Sequence, residues 1–150
     1  MIKVAIADDN ENMIRMLTDL VSRDSELHVV GTAKNGEEAC EIIREKEPDI
    51  VLLDIVMPKL DGLGVMDRMN RDKNVKKHPN FIIISAIGQE NVTEDAFRLG
   101  ASYYIMKPFD QEALLTRIKL TKRSVMKQPG GIRKNEMLEA ERDSKKHSLE

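Results

Sequence analysis

Residues 49–62 have the sequence Asp49-Ile-Val-Leu-Leu-Asp54-Ile-Val-Met-Pro58-Lys-Leu-Asp61-Gly62. The four aliphatic residues between the first two aspartates predict a strand buried on both faces, as is typical of parallel sheets. A carboxylate at the end of such a strand, here Asp54, emerges at the carboxyl edge of the sheet, where open α/β sheets bind their ligands. The segment therefore predicts an α/β fold with a functional group at Asp54.

A second apolar strand is predicted at residues 2–7, and two further carboxylates, Asp8 and Asp9, follow it directly. If this strand lies beside the strand that ends at Asp54, three carboxylates converge. Such a cluster is hard to keep ionised without a cation, and oxygen ligands with retained waters suit Mg²⁺. The pattern indicates phosphoryl chemistry at a magnesium site.

The rest of the chain repeats the alternation of strand and helix. Strands are predicted at 2–7, 27–33, 50–53, 81–85 and 102–106, with amphipathic segments after each. Asn35 is the predicted N-cap of the second helix, which must end near Pro48, and Gly100 ends the fourth. Right-handed crossovers then place helices on both faces of a five-stranded parallel sheet whose first and third strands are adjacent.

The amino-acid composition excludes several classes of function. The chain has 150 residues, enough for one domain, with 41% hydrophobic and 33% charged residues. Aromatic residues make up only 3% and there is no Trp, which argues against a base-stacking surface. The first 120 residues contain 16 Lys and Arg against 21 Asp and Glu, so they do not resemble a nucleic-acid-binding surface. Because the sequence has no membrane-length apolar run and no signal peptide, the protein is expected to be cytoplasmic. Cys40 is the only cysteine and is expected to be a buried structural thiol.

Three more features are predicted at the same edge: the side chains of Ser85 and Lys107, and Tyr104 three residues before Lys107. Ser85 ends the fourth strand, and Lys107 follows the fifth, just before Pro108, where a cis bond could direct the lysine inward. A carboxylate can accept a phosphoryl group only if the charge on the phosphoryl oxygens is neutralised, so a cation and Lys107 around Asp54 make chemical sense. The backbone carbonyl of Val56 is a further predicted metal ligand. Each residue alone has an ordinary interpretation as a turn former or solvated charge; together they favour a site.

These residues carry a family resemblance. The chain closely resembles two-component response-regulator receiver domains over residues 1–123, through the motifs Asp8-Asp9, Asp54 with Met57-Pro58-Lys-Leu-Asp61-Gly62, Ser85-Ala86 and Lys107-Pro108-Phe109. The resemblance implies a doubly wound (βα)5 flavodoxin-like fold of strand order 2-1-3-4-5. By position it implies that Asp54 is the phosphoacceptor, that Asp8 and Asp9 hold Mg²⁺ (or Mn²⁺ or Ca²⁺), that Ser85 and Lys107 contact the phosphoryl oxygens, and that Tyr104 is the switch aromatic.

The resemblance also implies partners. A histidine kinase or histidine phosphotransferase would donate the phosphoryl group, with Ile14, Met16 and Leu17 of the first helix as its predicted contact. The face formed by the fourth helix, fifth strand and fifth helix would then change shape, and a phosphorylation-dependent homodimer is one expected result. Acyl phosphate at Asp54 is expected to be long-lived, because Val56 and Ile87, at the positions best placed to hold the hydrolytic water, are aliphatic.

A finer similarity is to the receivers of sporulation transcription regulators of endospore-forming Bacillus and Clostridium relatives. It rests on residues 60–65, 85–93 and 100–110. Only 27 mostly polar residues follow Arg123, so residues 124–150 are predicted to be a flexible linker or tail, and DNA binding would need an effector domain that this chain lacks. The chain could also be a stand-alone receiver that acts by protein contact.

Two rivals from other classes share part of the pattern. Haloacid dehalogenase-type phosphatases also phosphorylate a strand-end Asp, but they place an acidic catalyst two residues later, where this chain has Val56. A flavodoxin-like flavin binder would need phosphate donors in the first loop, which here is the acidic Asp8-Asp-Asn-Glu-Asn12. A signalling module is therefore favoured over an enzyme acting on outside substrates.

Overall fold

The computed structural model describes residues 1–86 and 88–127, and within them five strands alternate with five helices. The strands are β1 (Ile2–Ala7), β2 (Leu27–Ala33), β3 (Ile50–Asp54), β4 (Asn80–Ser85) and β5 (Tyr103–Met106). The helices are α1 (Glu11–Ser22), α2 (Gly36–Lys46), α3 (Gly62–Arg71), α4 (Glu90–Arg98) and α5 (Gln111–Lys127). All strand pairs are parallel, and the sheet order is β2-β1-β3-β4-β5, which confirms the predicted fold.

The central strand β3 shows why the sheet needs two helical layers. All five of its residues are buried. Val51 and Leu53 pack into the core beneath α2, α3 and α4, whereas Ile50 and Leu52 pack into the core beneath α1 and α5. Because alternate side chains leave a strand on opposite faces, an uninterrupted aliphatic run is stable only when both faces are covered.

Local signals set the helix ends. Asn10 accepts hydrogen bonds from the N–H groups of Asn12 and Met13, and Asn35 accepts one from Glu38, so each satisfies free donors in a first helical turn. Helix α2 ends in the left-handed Glu47, just before Pro48. Gly100 has a φ of +105°, which glycine adopts without steric cost after α4.

Four boundaries differ from the prediction, and the first is that β4 begins at Asn80, one residue earlier than predicted. Asp54 is the last residue of β3 rather than the residue after it, and Ser102 precedes β5 instead of opening it. Helix α5 runs to Lys127, past the boundary predicted at Arg123. Residues 128–150 lie outside the described part of the chain, as does Ile87, so the predicted tail stays a prediction.

Candidate acidic site at the carboxyl edge of the sheet

Three carboxylates meet where β1 and β3 end. One oxygen from each of Asp8, Asp9 and Asp54 lies within 4.8 Å of the other two. In the pairing of β1 with β3, Ala7 lies opposite Leu53. Asp8 directly follows Ala7 and Asp54 directly follows Leu53, so the two carboxylates lie side by side. Asp8 is 1% exposed and Asp54 8%, whereas Asp9 faces solvent. The parallel register therefore brings the predicted cluster together.

Backbone donors orient the two buried carboxylates. The N–H of Asn10 donates to Asp8 Oδ1 over 2.9 Å, which ties Asp8 to the residue that caps α1. The N–H of Val56 donates to Asp54 Oδ1 over 3.4 Å. In both aspartates the backbone holds Oδ1, and it is Oδ2 that lies near a cationic side chain.

That cation is Lys107. Its Nζ lies 3.3 Å from Asp8 Oδ2 and 3.7 Å from Asp54 Oδ2. The Lys107–Pro108 peptide bond is cis, as the sequence suggested, and the Lys107 N–H donates to the carbonyl of Ser85 over 2.7 Å. Ser85, the buried last residue of β4, is thereby linked to the residue that reaches the carboxylates.

The electrostatics favour a cation. Burial raises the pKa of Asp54 to about 6, and the nearby Asp8 carboxylate adds to the effect, while Lys107 opposes it. Among the described residues, Lys107 is the cation in contact with the cluster, so three ionised carboxylates would keep an excess of negative charge. A donor set of carboxylate oxygens fits Mg²⁺, which Asp8, Asp9 and Asp54 could hold, and the Val56 carbonyl stays a predicted further ligand.

The loop after Asp54 is fixed by close backbone packing. The Gly62 N–H donates to the Ile55 carbonyl over 2.7 Å, and a Cβ at Gly62 would lie 2.7 Å from the Asp54 carbonyl oxygen. Asp61 caps α3 by accepting from the Gly64 N–H over 2.8 Å. Only glycine at position 62 leaves room for this approach, so the start of α3 is pressed against the end of β3 and holds the Val56 segment in place.

Tyr104 of the edge strand β5 lies on the face of the sheet that is covered by α2, α3 and α4. It packs partly buried against the core beneath α2, α3 and α4, and its ring meets Phe97 of α4 edge-on with centroids 5.7 Å apart. Tyr103 faces the other layer, where the Arg117 guanidinium sits 3.7 Å above its ring centre. The aromatic predicted to act as the switch thus connects β5 to α4.

One residue near the site was not anticipated. The side-chain oxygen of Gln89 accepts from the N–H of Ala86, the residue after Ser85, over 2.7 Å. The sequence signal for this contact is the spacing. Gln89 lies three residues after Ala86, the separation at which the Gln side chain of a capping box reaches back to a backbone N–H.

The predicted contact surface on α1 also needs correction: Leu17 is 1% exposed and belongs to the core, whereas Ile14 and Met16 are half-buried.

Comparison with known proteins identifies the class. The family model "Response regulator receiver domain" matches residues 4–119, and the chain belongs to that family. It is therefore the receiver domain of a two-component response regulator. Receiver domains are signalling domains that interact with histidine kinases and phosphotransferases, and they typically bind Mg²⁺ at an acidic site.

Solved structures agree. The receiver domain of AraT from Geobacillus stearothermophilus is 26% identical with a TM-score of 0.73, over 83% of this chain and 95% of that chain. The response regulator domain of Thermotoga maritima CheB is 28% identical with a TM-score of 0.71, over 85% and 98%. A chain of the CheX–CheY–BeF3–Mg²⁺ complex from Borrelia burgdorferi is 34% identical with a TM-score of 0.69, over 79% and 87%.

Proposed function

We propose that Asp54 accepts a phosphoryl group from a phosphohistidine of a kinase or phosphotransferase and that the resulting charge changes the binding surface of the domain. The observation that carries this proposal is the convergence of Asp8, Asp9 and Asp54 within 4.8 Å, with Lys107 in contact with two of them. Such an arrangement can hold a cation and an anion side by side. It is costly to maintain for structural reasons alone.

In the proposed reaction, an Asp54 carboxylate oxygen attacks the phosphorus while the phosphorus–nitrogen bond to the donor histidine breaks. The electron pair of that bond stays on the imidazole, and an acyl phosphate forms on Asp54. Bound Mg²⁺ would supply positive charge beside the phosphoryl oxygens. Lys107 already lies 3.7 Å from Asp54, so a short movement away from Asp8 lets it contact a phosphoryl oxygen, and the Ser85 hydroxyl would contact another.

The conformational response follows from how these groups are connected. Phosphorylation adds close to two negative charges and strong acceptor oxygens, and it therefore attracts Lys107 and Ser85. Because the Lys107 N–H is bonded to the Ser85 carbonyl, the ends of β4 and β5 would move together. Tyr104 lies three residues before Lys107 and packs on Phe97, so it would pass the shift to α4.

The face made by α4, β5 and α5 is the proposed output surface. Every residue of the edge strand β5 is only partly buried, and Leu120 of α5 is 41% exposed. An edge strand with partly exposed side chains is suited to pairing with another protein surface. A second phosphorylated copy of the chain or an effector domain would bind there. On the opposite side of the site, Ile14 and Met16 of α1 would contact the phosphodonor.

The proposal is tested by incubating the protein with acetyl phosphate, with and without Mg²⁺. Intact-mass spectrometry should show a gain of one phosphoryl group that depends on Mg²⁺, and Asp9→Ala should weaken it greatly. The control Asp67→Asn, at a partly exposed position on α3, should be labelled like the wild type. Hydrogen exchange should then change in α4, β5 and α5. Labelling without any change in exchange would refute the switch.

The biological setting is proposed from sequence similarity alone: a cytoplasmic phosphorelay that controls a sporulation transcription regulator, with DNA bound by an effector domain rather than by residues 1–123. No helix within residues 1–86 and 88–127 is long and apolar enough to cross a membrane. Deleting the gene in its host should reduce heat-resistant spores, and Asp54→Asn should fail to restore them. If Asp54→Asn restores sporulation fully, the proposed dependence of that role on phosphorylation of Asp54 is wrong.

A further inference from the structure

Gln89 closes a small turn beside the proposed phosphorylation site. Its side-chain oxygen accepts the Ala86 N–H over 2.7 Å, and its own N–H donates to the Ala86 carbonyl over 3.3 Å. Gly88 supplies the positive φ of +96° that such a turn needs. The two hydrogen bonds join Ala86 and Gln89 into one closed unit between β4 and α4.

The same residue begins α4. Gln89 occupies the N-cap position, where a side chain ordinarily satisfies free N–H groups of the first turn, yet its side chain makes no such bond. Its carbonyl instead receives both the N–H of Thr93, over 3.1 Å, and the Thr93 hydroxyl, over 3.0 Å. Thr93 is buried, with 4% exposure. Gln89 thus holds α4 through its backbone and the end of β4 through its side chain.

The strand register makes the Ala86 N–H a candidate donor to an anion on Asp54. Strands β3 and β4 are neighbours with Asp54 opposite Ile84, so Ser85 and Ala86 extend past Asp54 at the same edge. Backbone N–H groups just beyond strand ends are effective donors to phosphoryl oxygens, because the fold already holds them in a fixed orientation before the anion arrives. In this structure that donor is already used by Gln89.

We infer that Gln89 is a positioning residue that competes with the phosphoryl group for the Ala86 N–H and thereby restrains both phosphorylation and the movement of α4. The inference rests on the proposed function of Asp54. Transfer of the Ala86 N–H to a phosphoryl oxygen would break its bond with Gln89 and open the turn. The first turn of α4, bonded to the Gln89 carbonyl, would be released in the same event.

The test compares Gln89→Met, which keeps the length of the side chain but removes the acceptor, with Gln89→Glu, which keeps an acceptor oxygen. Gln111→Met, at the exposed start of α5, is the matched control. Beryllium fluoride with Mg²⁺ serves as the phosphoryl probe in a titration. Gln89→Met should bind it more tightly by roughly two- to tenfold, the factor that corresponds to one net hydrogen bond. Gln89→Glu should bind it no more tightly than the wild type, and Gln111→Met should equal the wild type.

The outcomes separate the two claims. A wild type that binds no beryllium fluoride in the presence of Mg²⁺ would overturn the proposed function and the competition with it. A wild type that binds, together with a Gln89→Met variant that binds equally or more weakly, would overturn the competition alone and leave Gln89 as a local loop stabiliser. If Gln89→Met does not fold, the wild type decides: on saturation the NMR signals of the Gln89 side-chain amide and the Ala86 N–H must both shift, and an unchanged Gln89 signal overturns the inference.

Discussion

Replacing Asp54 with Asn should make the metal-free protein more stable at neutral pH. Asp54 is 8% exposed, and its carboxylate lies against Asp8 and Asp9. Asn has the shape of the protonated acid and can still accept the Val56 N–H, but it carries no charge. The substitution therefore removes one of three converging negative charges at little cost in packing. A site built for function should show this conflict with stability.

The magnitude follows from the pKa of Asp54. Burial, with the repulsion of Asp8, raises that pKa to about 6, against 3.8 for an ordinary Asp side chain. The folded state then binds a proton more tightly than the unfolded state, so stability falls as the pH rises from about 4 to 6 and stays low above that range. At pH 7 the ionised carboxylate costs about 3 kcal/mol, which is the upper limit of the gain expected for Asp54→Asn.

The assay is urea denaturation followed by circular dichroism, in EDTA, at pH 4 and pH 7.5. The two proteins should have similar free energies of unfolding at pH 4, and Asp54→Asn should be more stable by up to about 3 kcal/mol at pH 7.5. Asp67→Asn on α3, where the partly exposed Asp67 pairs with the exposed Arg71, should change stability by less than about 0.5 kcal/mol. Mg²⁺ should then stabilise the wild type more than the variant. Equal or lower stability of Asp54→Asn at pH 7.5 would refute the reasoning.

Three further predictions concern other residues. Lys107→Ala should still accept phosphate slowly but show no change in amide exchange around Tyr104, and a normal response would remove Lys107 from the switch. The acyl phosphate should be long-lived, because the 58% exposed Val56 has no polar group to orient water. Val56→Asn, alone or with Ile87→Glu, should therefore shorten the half-life of the label severalfold in Mg²⁺ buffer. Equal or slower decay of the label would contradict this. Asp49→Asn should destabilise the fold by about 2–4 kcal/mol at pH 7 in urea titrations. Burial alone would raise the pKa of Asp49, but hydrogen bonds from lysine side chains outweigh it and hold the pKa well below its usual range, so the loss should shrink as the pH falls below about 4.

The sheet and the acidic cluster could be predicted from the sequence because their signals are local. Polar residues follow β1 and flank β2 on both sides, and the predicted limits of both strands match the structure. Asn35 starts α2 because its side chain accepts a hydrogen bond from a free N–H of the first turn. Pro48 requires α2 to end before it, because its ring disfavours a helical conformation in the preceding residue. Once the order of β1 and β3 is known, the meeting of Asp8 with Asp54 needs no further information.

Other features depend on contacts that no local pattern encodes. The carboxylate of Asp49 is bonded to Lys77 and Lys122, which lie 28 and 73 residues away in the chain. The Gln89 bond to Ala86 depends on one side-chain conformation within a turn. The burial of Leu17, next to the half-buried Met16, is set by how α1 rotates against the sheet. Helix α5 continues to Lys127 because the loss of apolar periodicity near Arg123 does not by itself end a helix.

The most direct test of the account is to locate the phosphoryl group after labelling with acetyl phosphate and Mg²⁺. Peptide mapping by mass spectrometry should place it on Asp54 and on no other residue. Asp54→Asn, which is expected to fold and to be more stable, should gain no mass. Ordinary labelling of Asp54→Asn, or a phosphoryl group on a different side chain of the wild type, would contradict the central claim.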